Sequence, residues 1–170
     1  VYGKSLLNTH FAVSGSVVID NRFVFPNMVL QTMQQENVTG FSGVPSTFSI
    51  LLNRSFLGKM AFPDLRYVTQ AGGHMSEAHK RRLLALFPDK KIFIMYGATE
   101  ASARLAYLAP DQLETRIRSA GKAIPNVEMK IVKENGVPAR PGEEGEITAR
   151  GSNIMQGYWK NPEETARVLK

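Results

Sequence analysis

The sequence predicts an α/β fold, with a mostly parallel sheet flanked by helices and then a small antiparallel β subdomain. Up to about residue 115, apolar residues at helical spacing alternate with short apolar runs of strand length, as in parallel sheets covered by helices. Beyond that point apolar and polar residues alternate with a period of two, which indicates half-exposed antiparallel strands. With 43% hydrophobic residues among 170, the chain can bury a core.

Helices and strands alternate through the first part of the chain. The predicted strands lie at residues 17–19, 38–44, 66–69 and 91–95. The helices begin near residue 5, at Pro26, and after Ser46 and Ser76, whose side chains are placed to cap them.

The later part of the chain predicts two strands and a final helix. Residues 127–131 alternate between apolar and polar side chains, and residues 145–150 supply a second strand. Asn135-Gly136 indicates a tight turn, although residues 138–145 suggest an irregular connection before the next strand. Residues 161–165 open a helix.

Length and composition limit the organisation of the chain. We expect an α/β subdomain over residues 1–116, a small β subdomain over 117–160, and a truncated helix start over 161–170. The sequence has no cysteine, which excludes disulfides, thiolate metal sites and thiol catalysis. It also fits a reducing cytoplasm, where we expect the protein to reside. No stretch approaches the roughly 20 apolar residues of a membrane span.

The formal charge of +6 raises the alternative of a nucleic-acid-binding protein. The excess of basic residues is spread along the chain, and its densest run is Lys80-Arg81-Arg82, next to two leucines. That pattern favours the solvated face of an amphipathic helix. We therefore predict no nucleic-acid partner, and salt-dependent retention on DNA would be the evidence for one.

The first informative loop spans residues 70–76, directly after a predicted strand. Ligands of parallel α/β sheets bind outside the carboxyl ends of strands. The pair Gly72-Gly73 allows a tight turn and a close approach of backbone to a ligand. Taken alone, however, this loop is better explained as a plain strand-to-helix turn.

The second loop, residues 96–100, follows the apolar strand at residues 91–95. Tyr96 offers an aromatic face for a base, Gly97 offers flexibility, and Thr99 offers a hydroxyl donor for a phosphate. Glu100 offers an oxygen ligand for magnesium. The loop therefore suggests a site for a nucleotide with its metal ion.

Other catalytic patterns are absent from the sequence. Residues 40–43 lack the glycine spacing of a serine nucleophile elbow, and neither a Walker loop nor a dinucleotide fingerprint occurs. Neither His74 nor His79 has a partner at the spacing of a helical metal site.

Motifs in a fixed order resemble the adenylate-forming, or AMP-binding, superfamily, which includes acyl-CoA synthetases, luciferases and peptide-synthetase adenylation domains. Residues 71–73 resemble its glycine turn, and residues 96–101 its Tyr-Gly-x-Thr-Glu motif. Residues 145–151, continued by 157–158 and 162–165, resemble its Gly-Glu, Gly-Tyr and Pro-Glu-x-Thr run. Weaker similarities lie at residues 44–46, 118–125 and 2–7.

The resemblance covers only the middle of such enzymes. Their phosphate loop and its lysine lie upstream, and their ribose-binding Gly-Asp motif, hinge and C-terminal lysine lie downstream. None of these occurs here, and Met75-Ser76 replaces the commoner Pro-Leu or Leu-Pro after the glycine turn. The chain also starts at Val1. We therefore expect a central fragment of an acyl-CoA synthetase-like fold that lacks the N- and C-terminal parts of its parent enzyme.

The resemblance implies an activity and its co-substrates. Such enzymes activate a small carboxylic acid with ATP to form an acyl-adenylate, and then transfer the acyl group to CoA. The implied co-substrates and cofactors are ATP or AMP, Mg²⁺ and CoA. We expect the fragment alone to be inactive.

The resemblance also implies roles for individual residues. Thr99 would contact phosphate and Glu100 would bind Mg²⁺, which makes them the catalytic candidates. The remaining candidates are residues that would surround the nucleotide, Gly72, Gly73, His74, Tyr96, Gly97 and Ala98, and residues that would line the acyl pocket, Tyr2, Gly43 and His74.

Two alternatives to an acyl-CoA ligase stay open. One is a nucleotide-binding regulatory module that uses the same half-site without catalysis. The other is the adenylation domain of a peptide synthetase, although Ala101-Ser102 after Thr99-Glu100 favours the acyl-CoA ligases. The sequence leaves the identity of the carboxylic acid open.

Overall fold

A computed structural model describes residues 2–169, which form two sheets and six α-helices. The helices are α1 (Tyr2–Phe11), α2 (Pro26–Gln35), α3 (Pro45–Arg54), α4 (Glu77–Leu86), α5 (Pro110–Leu113) and α6 (Pro162–Val168). The strands are β1 (Gly40–Gly43), β2 (Tyr67–Gln70), β3 (Lys91–Tyr96), β4 (Ala106–Leu108), β5 (Lys122–Ala123), β6 (Val127–Val132) and β7 (Glu146–Gly151). Single 3₁₀ turns lie at Leu57–Lys59 and Thr99–Ala101.

The main sheet has the strand order β1-β2-β3-β4-β5. Strands β1, β2 and β3 pair in parallel, whereas β4 is antiparallel to β3 and β5 is antiparallel to β4. Only β4 therefore runs against the common direction of the sheet. This arrangement, together with the flanking helices, confirms the predicted α/β fold with a mostly parallel sheet.

The core lies between the sheet and helices α2, α3 and α4. Leu30, Phe48, Leu51, Leu83 and Ile92 are fully buried there, because the apolar stripe of each helix faces the apolar residues of the strands. Ser76 caps α4 as predicted, with its hydroxyl accepting a hydrogen bond from the His79 amide at 3.3 Å.

Two predictions for the first 50 residues are wrong. Ser46 does not cap α3: the helix begins at Pro45, whose fixed φ suits the first helical position, so Val44 is the N-cap and Ser46 lies inside the helix. Residues 17–19 do not form a strand, and the Ile19 side chain is 80% exposed. An apolar run becomes a strand only with a neighbour to pair with, and within residues 2–169 this run has none.

The small sheet consists of β6 and β7, which pair antiparallel from Val127 opposite Gly151 to Val132 opposite Glu146. Asn135-Gly136 lies in the predicted tight turn, since the Gly136 amide donates to the Lys133 carbonyl at 2.9 Å. An irregular segment then leads to β7, also as predicted. The division between residues 116 and 117 stays a prediction; β5 pairs with β4 in the main sheet.

Helix α6 begins where the sequence predicted the opening of a final helix. Asn161 caps it, with its side-chain oxygen accepting a hydrogen bond from the Glu164 amide at 3.1 Å. Across residues 2–169, none of the helices is both long enough and apolar enough to cross a membrane.

Candidate active site

The two loops singled out in the sequence leave neighbouring strands at the same edge of the main sheet. Strand β2 ends at Gln70 and β3 ends at Tyr96, and Gln70 pairs in register with Ile94. Because β2 and β3 are parallel, their carboxyl ends lie side by side. The structure therefore brings the glycine turn and the Thr99-Glu100 turn to one edge.

The glycine turn packs tightly against the start of α3. Gly72 has a φ of +82°, and a Cβ there would lie 3.1 Å from the Val44 side chain. The Gln70 side-chain amide, at the end of β2, donates to the Gly73 carbonyl at 2.9 Å and so holds the turn against the strand. His74 follows as an exposed residue.

Gly97 allows the chain to double back directly after β3. A Cβ at Gly97 would lie 2.1 Å from the Ala103 carbonyl oxygen, so no side chain fits there without moving backbone. Ala98 is extended, and Thr99–Ala101 then forms one 3₁₀ turn rather than the open loop that the sequence suggested. Tyr96, Ala98 and Thr99 are exposed at this edge.

Glu100 is half-buried and hydrogen-bonded. Its Oε1 atom accepts a hydrogen bond from the Tyr158 hydroxyl at 2.7 Å. That bond lowers the pKa of Glu100 below its ordinary value, helped by a backbone hydrogen bond and opposed by burial. The same contact raises the pKa of Tyr158. Glu100 is therefore an ionised carboxylate at neutral pH, and with Ala98 it lines an open cleft beside the small sheet.

The segment between β7 and α6 contributes residues that the sequence did not single out for the site. The Asn153 side-chain amide donates to the carbonyls of Ala101 and Arg104 at 3.0 and 2.9 Å. The Met155 amide donates to the Glu100 carbonyl at 2.7 Å. The only signal in the sequence was the Gly157-Tyr158 motif, which carried no predicted role.

The predicted acyl-pocket residues Tyr2 and Gly43 lie near the carboxyl end of β1. The Tyr2 hydroxyl contacts the Thr69 hydroxyl at 2.6 Å, and Thr69 in turn contacts the Ser42 hydroxyl at 2.7 Å. Gly43 is buried, and a Cβ there would lie 2.8 Å from the Thr47 side chain. Ser42 and Thr69 were missed because a hydroxyl inside a short strand has no distinguishing spacing.

Glu100 is the carboxylate at this edge that could serve a metal ion. Among residues 2–169, no cluster of three or more histidine, aspartate or glutamate side chains could hold a metal by itself. Magnesium commonly binds through one or two carboxylates together with the phosphates of a substrate. Glu100, as a single carboxylate on a fixed turn, fits that mode of binding.

Comparison with known proteins decides the family. A family model described as AMP-binding enzyme matches residues 1–159 of the chain. The chain belongs to the AMP-binding enzyme family. This membership confirms the resemblance drawn from the motifs at residues 71–73, 96–101 and 145–151.

Three relatives illustrate the family. Acyl-CoA ligase sidI of Aspergillus fumigatus is 29% identical over 170 residues, or 99% of this chain and 28% of that ligase. A 2-succinylbenzoate–CoA ligase of Geobacillus kaustophilus is 38% identical over 116 residues, or 67% of this chain and 23% of the ligase. The o-succinylbenzoate CoA synthetase of Bacillus subtilis, solved with its acyl-adenylate intermediate, matches 84% of this chain and 28% of its own with a TM-score of 0.74.

The comparisons bear on the fold and on the extent of the chain. At 24% identity, the likeness to the Bacillus subtilis enzyme confirms the fold alone. The chain spans 28% and 23% of the length of the two ligases. The roles of the individual site residues accordingly stay predictions.

Proposed function

We propose that the protein carrying this chain is an ATP-dependent carboxylate-CoA ligase that works through an acyl-adenylate. In the first half-reaction a carboxylate oxygen attacks the α-phosphorus of ATP and pyrophosphate leaves. In the second, the CoA thiol displaces AMP and forms a thioester. The relatives named as CoA ligases support this reaction class.

The observation that carries the proposal is the fixed 3₁₀ turn at Thr99–Ala101, at the carboxyl end of β3. It holds an exposed hydroxyl and an ionised carboxylate on adjacent residues, Thr99 and Glu100. A hydroxyl can donate to a phosphate oxygen, and a carboxylate can bind the magnesium ion that accompanies a triphosphate. The glycine turn at residues 71–73 lies at the same edge of the sheet, where a nucleotide can approach its backbone.

Each residue of this edge has a proposed role toward the nucleotide. Tyr96, Gly97 and Ala98 form a wall for the adenine, with the Tyr96 ring available for stacking. The Thr99 hydroxyl donates a hydrogen bond to a phosphate oxygen. The Glu100 carboxylate binds Mg²⁺, which, when bound, offsets the negative charge of the phosphates during attack by an anionic carboxylate.

The acyl group is proposed to lie between the glycine turn and α1. Gly72, Gly73 and His74 separate the adenine from this pocket, and Tyr2 and Gly43 lie at its far side. The hydroxyl contacts of Tyr2, Thr69 and Ser42 fix that side of the site. We also propose a cytoplasmic location, in keeping with a chain that has no cysteine.

The test of this function is the release of pyrophosphate from ATP by the intact protein, with a panel of aryl and aliphatic carboxylic acids. The proposal expects release that requires both a carboxylate and Mg²⁺, followed by a thioester when CoA is added. A Thr99→Ala variant should release pyrophosphate more slowly. If the protein binds ATP but no carboxylate elicits release, a nucleotide-binding regulatory module is the better description.

A further inference from the structure

The turn that carries Thr99 and Glu100 has an unfavourable backbone directly after it. Ser102 and Ala103 have φ angles of +47° and +81°, a region that residues other than glycine rarely adopt. The amides of Ala101 and Ala103 both donate to the Ala98 carbonyl, at 3.1 and 3.2 Å. So tight a turn keeps its shape only when surrounding contacts hold it.

A distant segment, residues 153–158, supplies those contacts. Its Asn153 side chain bridges two carbonyls of the turn, and its Met155 amide binds the Glu100 carbonyl. These bonds fix the backbone at Glu100 and just after it. The carboxylate itself is then held by Tyr158 at 2.7 Å.

Tyr158 is in turn anchored by the start of α6. The Tyr158 amide donates to the Thr165 hydroxyl at 2.9 Å, and that hydroxyl donates to the Asn161 carbonyl at 2.7 Å. Gly157 packs against the same threonine, where a Cβ would lie 2.8 Å from its methyl group. The start of α6 therefore fixes the backbone of Tyr158, the residue whose hydroxyl contacts Glu100.

The hydrogen-bond partner of Glu100, the Tyr158 hydroxyl, is uncharged and so does not neutralise the carboxylate. A phenol hydroxyl donates a hydrogen bond but carries no positive charge, unlike lysine or arginine. Within residues 2–169, Glu100 belongs to none of the ion pairs, and its contact with Tyr158 uses only Oε1. The Tyr158 contact thus fixes the direction of the carboxylate without engaging Oε2.

We infer that Tyr158 is a positioning residue, which holds Glu100 through Oε1 and leaves Oε2 for the magnesium ion of the bound nucleotide. This inference rests on the proposed function, in which Glu100 binds that ion. The contacts of residues 157–165, which join the start of α6 to Glu100, would then serve to position a metal ligand.

The experiment measures ATP binding to the intact protein by calorimetry, with MgCl₂ and with EDTA, for wild type and Tyr158→Phe. The substitution removes one hydroxyl and keeps the ring. Loss of a residue that orients a metal ligand typically weakens metal binding by 10- to 100-fold, so we expect ATP binding with MgCl₂ to weaken by about tenfold. Binding in EDTA should stay unchanged.

Tyr107→Phe is the matched control, because the Tyr107 hydroxyl takes part in no hydrogen bond within the described residues. It should bind ATP as wild type does under both conditions. Equal weakening by Tyr107→Phe would overturn the inference, as would a loss for Tyr158→Phe that is the same in EDTA and MgCl₂. The latter result would mean that Tyr158 only supports the fold.

A second variant, Glu100→Gln, separates failure of the inference from failure of the proposed function. We expect Glu100→Gln to weaken binding with MgCl₂, and Tyr158→Phe to add nothing in that background. If Glu100→Gln weakens binding but Tyr158→Phe does not, the inference is overturned and the proposed function stands. If Glu100→Gln binds ATP with MgCl₂ as wild type does, the proposed metal-binding role of Glu100 fails, and the inference fails with it.

Discussion

At Gly97 the absence of a side chain shapes the candidate site. The Ala103 carbonyl occupies the place where a Cβ would be, and this close approach turns the chain back so that Thr99 and Glu100 stand at the sheet edge. The sequence placed a flexible glycine here as part of a binding loop. The structure gives a different reason for it, which is the space that a returning backbone needs.

Replacing Gly97 by alanine should destabilise the protein. A Cβ 2.1 Å from a backbone oxygen forces the turn to shift, and overpacking of this kind costs about 1–3 kcal/mol. Chemical denaturation of the chain measures the change in the free energy of unfolding. Gly3→Ala is the control, since a Cβ there meets nothing within 4 Å and helix α1 favours alanine over glycine. An equal loss in both variants would contradict the steric explanation.

Thr99 and Glu100 could be named as candidates from the sequence, because the residues that point to them are adjacent in the chain. Five consecutive residues after an apolar strand suffice to suggest a nucleotide and its metal ion. The residues that fix Glu100 could not be found this way. Asn153, Met155 and Tyr158 lie more than 50 residues further along the chain, and only folding brings them to the turn.

At the scale of elements, the starts of α3 and α4 differ, although the sequence predicts a capping serine at both, Ser46 and Ser76. Ser76 accepts a hydrogen bond from the amide of His79, whereas the α3 N-cap, Val44, makes no side-chain cap bond. The difference lies in Pro45, whose fixed φ favours the first helical position and so places Ser46 inside the helix. A capping pattern in a sequence therefore has to be weighed against a proline just before it.

This comparison gives a paired prediction. Ser76→Ala should reduce the free energy of unfolding by about 1 kcal/mol, since the first turn of α4 loses a cap. Ser46→Ala should change it by less than about 0.5 kcal/mol, because an exposed position without such a contact contributes little. Urea denaturation of the two variants measures both values. A larger loss for Ser46→Ala than for Ser76→Ala would reverse the assignment of the caps.

Helix α4 is joined to the segment before β5 by a buried lysine. The Lys80 ammonium donates to the Ile117 carbonyl at 2.7 Å, and burial lowers the pKa of Lys80 below its ordinary value. A lowered pKa means that the unfolded chain binds the proton more tightly than the folded one. Just below the ordinary pKa of lysine, 10.5, stability should therefore rise with pH.

Lys80→Met should remove that pH dependence and also leave the Ile117 carbonyl without its partner. We expect a loss of about 1–3 kcal/mol at neutral pH, the usual cost of an unsatisfied buried polar group. Unfolding measured between about pH 8 and 10 checks the slope. Lys4→Met, at an exposed position of α1, should keep the wild-type slope. A Lys80→Met variant with the wild-type slope would show that Lys80 does not produce it.

Strand prediction succeeded where pairing partners exist and failed where they do not. The runs that became β1, β2 and β3 pair with one another in parallel, and residues 127–131 pair with β7. Residues 17–19 have equally strand-like side chains and no neighbour within the described part of the chain. Strands β4 and β5 were missed because three and two residues are too short to show a period.

At the scale of the molecule, one edge of the main sheet gathers the predicted nucleotide residues. The order β1-β2-β3 with parallel strands places the ends of all three together, so Gly43, the glycine turn and the Thr99-Glu100 turn share an edge. The alternation of helices and strands predicted the mostly parallel sheet, and the structure adds the order of its strands. Residues 153–158, which lie between β7 and α6, connect these elements to the Thr99–Ala101 turn through hydrogen bonds.

The isolated 170-residue chain should show no ligase turnover. The phosphate loop with its lysine and the C-terminal lysine of AMP-binding enzymes have no counterpart in this sequence, and such groups commonly supply several kcal/mol each to lowering the barrier. Pyrophosphate release from ATP, with a carboxylate and Mg²⁺, measures this directly. Release above a protein-free blank would contradict the expectation, provided that heat-denatured chain gives none.

The most direct measurement is a crystal structure of the intact protein with a non-hydrolysable ATP analogue and Mg²⁺. The account predicts density for the nucleotide between the glycine turn and residues 96–100, with a Glu100 oxygen about 2.1 Å from the metal. Density for the nucleotide at another edge of the sheet, or a metal ion without Glu100 among its ligands, would contradict it.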